Sequence, residues 1–434
     1  MTRQISIDME HSERKIRANK RIGWLLVISV SLMPYTALKI GHFGPAELLI
    51  LLCFLYEFKE YHGRLGPGKS DISKQFSTYI ILCFIGTMWN MFWSPLSGKA
   101  VSAGFSSIWF DMMSYVFILL TLLTFGMYEN AEVCRYTADD ILQGVVLVNC
   151  VAMPVLYLLS RTRMTLFGMP LLYYNYFTPL ATNLHHTSMY LLPLSFATIY
   201  VAETRYSGLK KLCLWIFGVF FMYLAYSTGS TKALIGIVVG SVVSAFYKMN
   251  SRRGKTASWT KISIVFAVFI AVLYFILHYS SIIDAGISFF RQNDIGGGRD
   301  LIWGLALDKW ESSPLVGYGF GSHVELGTHF WDAHNTLLTV LLQTGLVGLL
   351  VYVVLWFHII RYSFHNGYIL AMNLSILVYV TGGDVLRRIP CWSFIIISYY
   401  IEEQSRSRGM KELAAARARV AVDSKNNNYG GTDQ

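Results

Sequence analysis

Long apolar runs recur along the chain, each close to the length of a membrane-crossing helix and each closed off by a few polar residues. The pattern predicts about twelve spans, at approximately 23–41, 43–58, 76–95, 105–128, 139–159, 185–203, 209–227, 231–247, 261–279, 334–357, 368–383 and 390–402. Backbone polar groups inside lipid must be satisfied within the segment, so the expected class is an all-α integral membrane protein. Two separators break the rhythm. Residues 160–184 are rich in tyrosine. Residues 280–333 form the largest loop, yet they carry Trp, Phe, Leu and Ile rather than the composition of a disordered linker. Within that loop "RDLIWGLALDKW" places Arg299, Trp303, Leu307 and Trp310 at helical spacing. This predicts a short amphipathic helix resting on the outer surface of the bundle. The resulting organisation is a tail at 1–22, a polytopic domain at 23–402 interrupted by the 280–333 loop, and a second tail at 403–434.

Composition supports this reading, with 54% hydrophobic and 14% charged residues. Charge then orients it. With the N-terminus inside, 26 of the 36 Lys and Arg fall in inner segments, so both termini are expected to be cytoplasmic and the large loop periplasmic. The net charge of +10 therefore reads as topology and attraction to anionic membrane lipids, and nucleic acid is not an expected partner. The basic tail "RSRGMKELAAARARV" fits a helix lying on the inner surface. The first apolar run reads as an uncleaved anchor. Six cysteines form no CxxC pair and none lies in the large loop, so neither a disulfide framework nor a zinc site is expected.

Residues 63–70, "GRLGPGKS", match the P-loop pattern in full. A P-loop needs a buried strand before it and a helix after it within an α/β domain. Here it lies in a short connection between two spans, and it reads as a basic cytoplasmic turn.

The chemistry is concentrated on the predicted outer face. In "FWDAHNTLLTVLLQTGLVGLL", His334 heads the tenth span. On a helix it shares a face with Leu338, Leu341, Gly345 and Gly348, and the two glycines would permit close helix–helix approach. That turns His334 toward an internal cavity; the plainer reading is an interfacial histidine. Arg299 follows "GGG" and could hold a phosphate bidentately, or could be a solvated surface arginine. Lys232 heads the eighth span and could neutralise a pyrophosphate or merely snorkel to the surface. Arg161, Arg163, Arg291, Arg387 and Arg388 are further outer cations, against the general bias. Tyr173, Tyr174, Tyr176, Trp303, Tyr318 and Trp331 could stack on sugars or form an interfacial belt.

The order of these pieces resembles the O-antigen ligase and polymerase superfamily of bacterial polysaccharide assembly. The resemblance is carried by "GGGRDLIWGLALDKWESSPLVGYGFGS" followed by "HNTLLTVLLQTGLVGLL": Arg299, Trp303, the Pro314–Gly319 turn, His334-Asn335, Gly345 and Gly348. "TNLHHTSMYLLPL" at 182–194 also looks like the segment that enters the sixth span in this family. One departure is Lys232, where the family has a second functional arginine. Lysine keeps the charge and loses the bidentate fork. The resemblance implies a GT-C-like glycosyltransferase in the bacterial inner membrane. It implies transfer from an undecaprenyl-pyrophosphate-linked oligosaccharide at the periplasmic face, with inversion and without metal or other cofactor. His334 would be the catalytic base and Arg299 a catalytic cation. Lys232, Arg161, Arg163, Arg291, Tyr318 and Asn335 would contact pyrophosphate or glycan.

Three functions follow from different readings. A polymerase passes the glycan to the next lipid-linked repeat unit, and Lys232 in place of arginine favours it over a ligase, which passes the glycan to lipid A–core. A lipid-linked oligosaccharide flippase should carry charges deep in several spans, whereas the basic residues here cluster at span ends. A chain-length regulator is a further candidate partner.

Overall fold

A computed structural model of the chain describes residues 19–40, 43–65, 68–97, 105–130, 136–251, 299–326, 329–407 and 410. The span predicted at 261–279, Arg291, and most of the basic C-terminal tail lie outside these residues.

The described residues are almost wholly helical. In chain order the helices are α1 (19–32), α2 (Pro45–Glu60), α3 (Asp71–Ser97), α4 (Phe105–Glu129), α5 (Ala138–Thr162), α6 (Leu184–Arg205), α7 (Gly208–Tyr226), α8 (Thr231–Ser251), α9 (Arg299–Glu311), α10 (Thr336–Ser363), α11 (Gly367–Val380) and α12 (389–407). Each predicted span within the described residues overlaps one of them, but the first, predicted at 23–41, is α-helical only to residue 32 and ends in a turn and a short 3-10 helix at Thr36–Leu38. Among the described residues, four helices are long and apolar enough by themselves to cross a membrane: Ser107–Glu129, Ala138–Thr162, Gly208–Tyr226 and Thr336–Ser363. Others carry more polar residues because protein covers them. In α6 every residue from Thr187 to Ala202 is buried.

Helix α12 shares this central position. Cys391 faces Met189 of α6, Tyr190 packs on Phe394 at 5.4 Å, and Phe76 of α3 packs on Trp392 at 4.7 Å. Buried amides join the core helices. Asn149 donates to the Tyr190 hydroxyl at 2.9 Å, and Asn373 donates to Ser363 at 2.7 Å and Ser398 at 3.0 Å. Each such bond spares a polar group the cost of apolar surroundings.

Local chemistry sets the helix starts. Asn183, Asn335 and Asn366 cap α6, α10 and α11 with side-chain oxygens on the first free N–H groups. Ser70, the last residue of the P-loop match, accepts from Ser73 N–H at 3.0 Å and so caps α3, in the role of a turn residue. Among the described residues there are also three small hairpins: β1–β2 (Thr165–Leu166, Met169–Pro170), β3–β4 (Leu172–Tyr173, Tyr176–Phe177) and β5–β6 (Val324–Leu326, His329–Trp331). The first two fold the tyrosine-rich 160–184 segment into an ordered connector. The third leads into α10.

Two sequence expectations are corrected. The buried face of α9 is built on Ile302 and Ala306, with Leu307 42% exposed, so the stripe lies one residue away from the predicted Trp303–Leu307 line. His334 is not on a helix. Asn335 is the cap, and His334 precedes it with a left-handed backbone, φ 48°.

Candidate functional site

The site is organised around Arg387, which is 6% exposed and lies in the turn between α11 and α12. Its Nε meets Asp384 of the same turn. Its Nη1 donates to Asp111 of α4 at 3.0 Å, and its Nη2 to Asp332, just past β6, at 2.7 Å. The planar fork of arginine suits this three-way grip. Asp332 also binds His323 Nδ1 at 2.7 Å. Burial works against ionisation of Asp332, but the His323 hydrogen bond and the Arg387 charge outweigh it and hold the carboxyl well below the usual range. Burial would likewise lower the Arg387 pKa, and Asp384, Asp111 and Asp332 reverse that and raise it.

The network continues inward. Asp111 Oδ2 accepts from Gly321 N–H at 2.9 Å and from the Gln343 amide at 2.8 Å. Gln343 Oε1 accepts from Tyr79 and Tyr115 hydroxyls, both at 2.7 Å. A continuous polar chain thus runs from the buried faces of α3, α4 and α10 to Asp332.

Gln343 sits where α10 is broken. Gly345 has φ 61° and ψ −160°, and the 314–319 loop enters the break. Leu342 C=O accepts from Tyr318 N–H at 2.7 Å and Gln343 C=O from Gly319 N–H at 2.8 Å. On the far side, Leu346 N–H donates to Pro314 C=O at 2.8 Å and Val347 N–H to Leu315 C=O at 3.4 Å. The two helical pairs opened by the kink are each closed by the loop. A Cβ on Gly345 would lie 2.3 Å from the Leu315 carbonyl carbon. Its close approach is therefore to this loop, and the expected helix–helix role for Gly345 is replaced.

Three consecutive carbonyls fix the turn that carries Asp384 and Arg387. Thr381 C=O accepts from Asn335 at 3.2 Å, Gly382 C=O from Lys232, and Gly383 C=O from Thr336 at 2.6 Å. Helix α9 secures the other side. Trp303 Nε1 donates to Ala333 C=O at 2.8 Å, and Lys309 Nζ to His323 C=O at 2.6 Å.

These supports enclose an open cleft of about 390 Å³ lined by Ser107, Phe110, His323, Trp331, Asp332, His334 and Arg387. Behind Arg387 a smaller space of about 40 Å³ is lined by Lys39, His186, Arg388 and neighbours, and among the described residues neither ring nitrogen of His186 has a hydrogen-bond partner.

Of the residues singled out in the sequence, His334 lines the cleft, while Asn335 and Lys232 hold its rim. Tyr318 lies in the loop that plugs α10, with its hydroxyl on Lys309 C=O at 3.0 Å and its ring largely buried. Arg161 binds the hydroxyl of Tyr157 and lies over its ring, and Arg163 caps α5; neither lines the cleft. Arg299 opens α9, the helix fastened to Ala333. The sequence reading passed over Asp111, Gln343, His323 and Asp384. Asp111 carried a usable signal, since an acidic residue in the first half of an apolar span is costly unless partnered.

A family model described as O-antigen ligase matches residues 215–353, which include α9, the plugging loop, His334 and the first half of α10. No curated protein matches the chain. The family match supports the O-antigen ligase and polymerase superfamily, and with it a glycosyltransferase-like enzyme of polysaccharide assembly. The apolar helices agree with a multi-pass membrane protein.

Proposed function

We propose that this chain of the O-antigen ligase and polymerase superfamily is a polymerase of lipid-linked repeat units. It would lie in the bacterial inner membrane, with both termini cytoplasmic and the His334 cleft facing the periplasm. Twelve spans would form a GT-C-like arrangement.

In the proposed reaction an acceptor sugar hydroxyl attacks the anomeric carbon of an undecaprenyl-pyrophosphate-linked glycan. The new C–O bond forms as the bond to the pyrophosphate oxygen breaks, and the anomeric configuration inverts. The hydroxyl proton goes to His334. The leaving undecaprenyl pyrophosphate keeps the bonding electrons, and its charge is met by Arg299 and Lys232, with Arg161, Arg163 and Arg291 as further outer cations. Asn335 and Tyr318 shape the site around the glycan.

The observation that carries this reading is the position of His334. It lines an open cleft two residues from an ionised Asp332 that is itself clamped by Arg387 and His323. Fixed placement of a base next to a substrate-sized opening is what general-base catalysis requires.

The description of the matched family favours a second reading, ligation of the finished glycan to lipid A–core. One experiment separates the two. The purified protein is given lipid-linked repeat units with and without lipid A–core. Ladders from repeat units alone support the polymerase, and a product only with core supports the ligase. The absence of any covalent product would remove both.

A further inference from the structure

The electrostatic balance around the cleft decides which substrate it suits. Each nitrogen of Arg387 is committed to a different carboxylate: Nε to Asp384, Nη1 to Asp111 and Nη2 to Asp332. Asp111 acts only as an acceptor, taking bonds from Arg387, Gly321 N–H and the Gln343 amide, as an ionised carboxylate does. Both Asp332 oxygens are also taken, by His323 and Arg387. The guanidinium that faces the cleft is thus offset by a carboxylate on each of its nitrogens. It offers a pyrophosphate no uncompensated charge, and an uncharged group needs none.

The remaining wall is aromatic. Phe110 is 39% and Trp331 is 42% exposed, and both line the cleft with His334 and Ser107. Trp331 is held in place because it pairs with Val324 in the β5–β6 hairpin and is followed directly by the clamped Asp332. Phe110 carries the Arg387 guanidinium 5.2 Å from its ring centre, which fixes that ring as well. Rigid aromatic surfaces beside a few polar groups suit a ligand that has both apolar C–H faces and hydroxyls.

We propose that this cleft is the acceptor subsite. An uncharged sugar ring stacks on Trp331 and Phe110, Ser107 receives one of its hydroxyls, and another points at His334. The charged pyrophosphate of the donor lies outside this cleft. The assignment rests on the glycosyl-transfer reading above and adds the acceptor's chemical class and place to it.

The test uses the full chain in lipid nanodiscs. The acceptor is a repeat unit on a non-cleavable phosphonate lipid, so it accepts and cannot donate, and its concentration is varied separately from the donor's. Trp331→Ala is expected to raise the acceptor KM tenfold or more and to leave the donor KM within twofold, while Trp331→Phe keeps most of the affinity. Ser107→Leu, which fills the cleft from α4 without touching the hairpin, should also raise the acceptor KM and carries the test if the alanine variant does not fold. In parallel, saturation-transfer NMR follows binding of the free oligosaccharide repeat unit cut from the cell's own polysaccharide. Millimolar inorganic pyrophosphate should not displace it. A raised donor KM with an unchanged acceptor KM, unchanged values for both, or displacement by pyrophosphate would overturn the proposal. Oligosaccharide binding that depends on Trp331 in a protein that transfers nothing leaves the sugar site standing and removes the enzymatic reading. Normal acceptor kinetics in Trp331→Ala and Ser107→Leu do the reverse.

Discussion

The indole N–H of Trp303 donates to the carbonyl of Ala333 at 2.8 Å, which ties the helix opened by Arg299 to the residue before His334. Replacing Trp303 with Phe keeps most of the ring volume and removes the donor. The expected stability loss is small, about 0.5–1.5 kcal/mol for one hydrogen bond. The expected activity loss is larger, about a hundredfold in kcat or roughly 2.7 kcal/mol, because a displaced base loses its alignment. Thermal unfolding and transfer kinetics on the same preparation would check both, and equal losses in stability and activity would argue against a positioning role.

His334→Ala should lower the rate of transfer by about 10²–10⁴ with the protein inserted and folded. Transfer assays on membranes, with protein amount set by immunoblot, measure this. A variant within threefold of wild type removes His334 from the mechanism.

Arg387→Ala leaves Asp111, Asp332 and Asp384 buried without their common cation. Breaking a buried pair by deleting one partner costs about 3–5 kcal/mol, so a large fall in Tm is expected. Arg387→Lys should recover little of it, because a single ammonium cannot reproduce the three-way fork.

Asp332 gives a pH dependence of known sign. Its pKa is depressed in the folded protein, so it stabilises the fold at every pH above the unfolded value of about 3.9 and loses that contribution as pH falls further. The Tm difference between wild type and Asp332→Asn should persist from about pH 8 to pH 5 and should shrink below about pH 4. A difference that already shrinks at pH 6 would mean the carboxyl is not held ionised by its partners.

Gly319 and Gly168 form a matched pair. Both have positive φ, 82° and 77°. A Cβ at Gly319 would lie 2.0 Å from Thr87 Oγ1, whereas one at Gly168 meets nothing within 4 Å. Gly168→Ala should cost about 1–2 kcal/mol of backbone strain alone. Gly319→Ala should cost more than that and abolish accumulation of folded protein in the membrane, read by fluorescence-detected gel filtration.

Much of this molecule is legible in its sequence, and the limits have physical causes. Apolar run length located the helices, because lipid and buried core impose the same demand on side chains. His334 and Asn335 stood out because they sit at an abrupt polar–apolar boundary. The Arg387 cluster did not. Asp111, Asp332, Asp384 and Arg387 are far apart in the chain or lie in short loops, and their joint meaning appears only when α4, the hairpin and the α11–α12 turn converge. Gly345 was misjudged for a related reason. Periodicity describes a continuous helix, and a loop that replaces hydrogen bonds inside one leaves no periodic trace.

The broken helix also bears on how the chain is made. The loop that completes α10 precedes it in the sequence, so it emerges from the ribosome before its partner exists. Kinked as it is in the folded protein, α10 without that loop would leave the peptide groups of Leu342, Gln343, Leu346 and Val347 open, and each unsatisfied group in hydrocarbon costs several kcal/mol. In that kinked form the helix is an incomplete element until the loop returns to it. Quality control in the membrane would meet a failed docking as an unfinished span, and defects in residues 314–319 should appear as degradation of the whole protein before any loss of catalysis is seen.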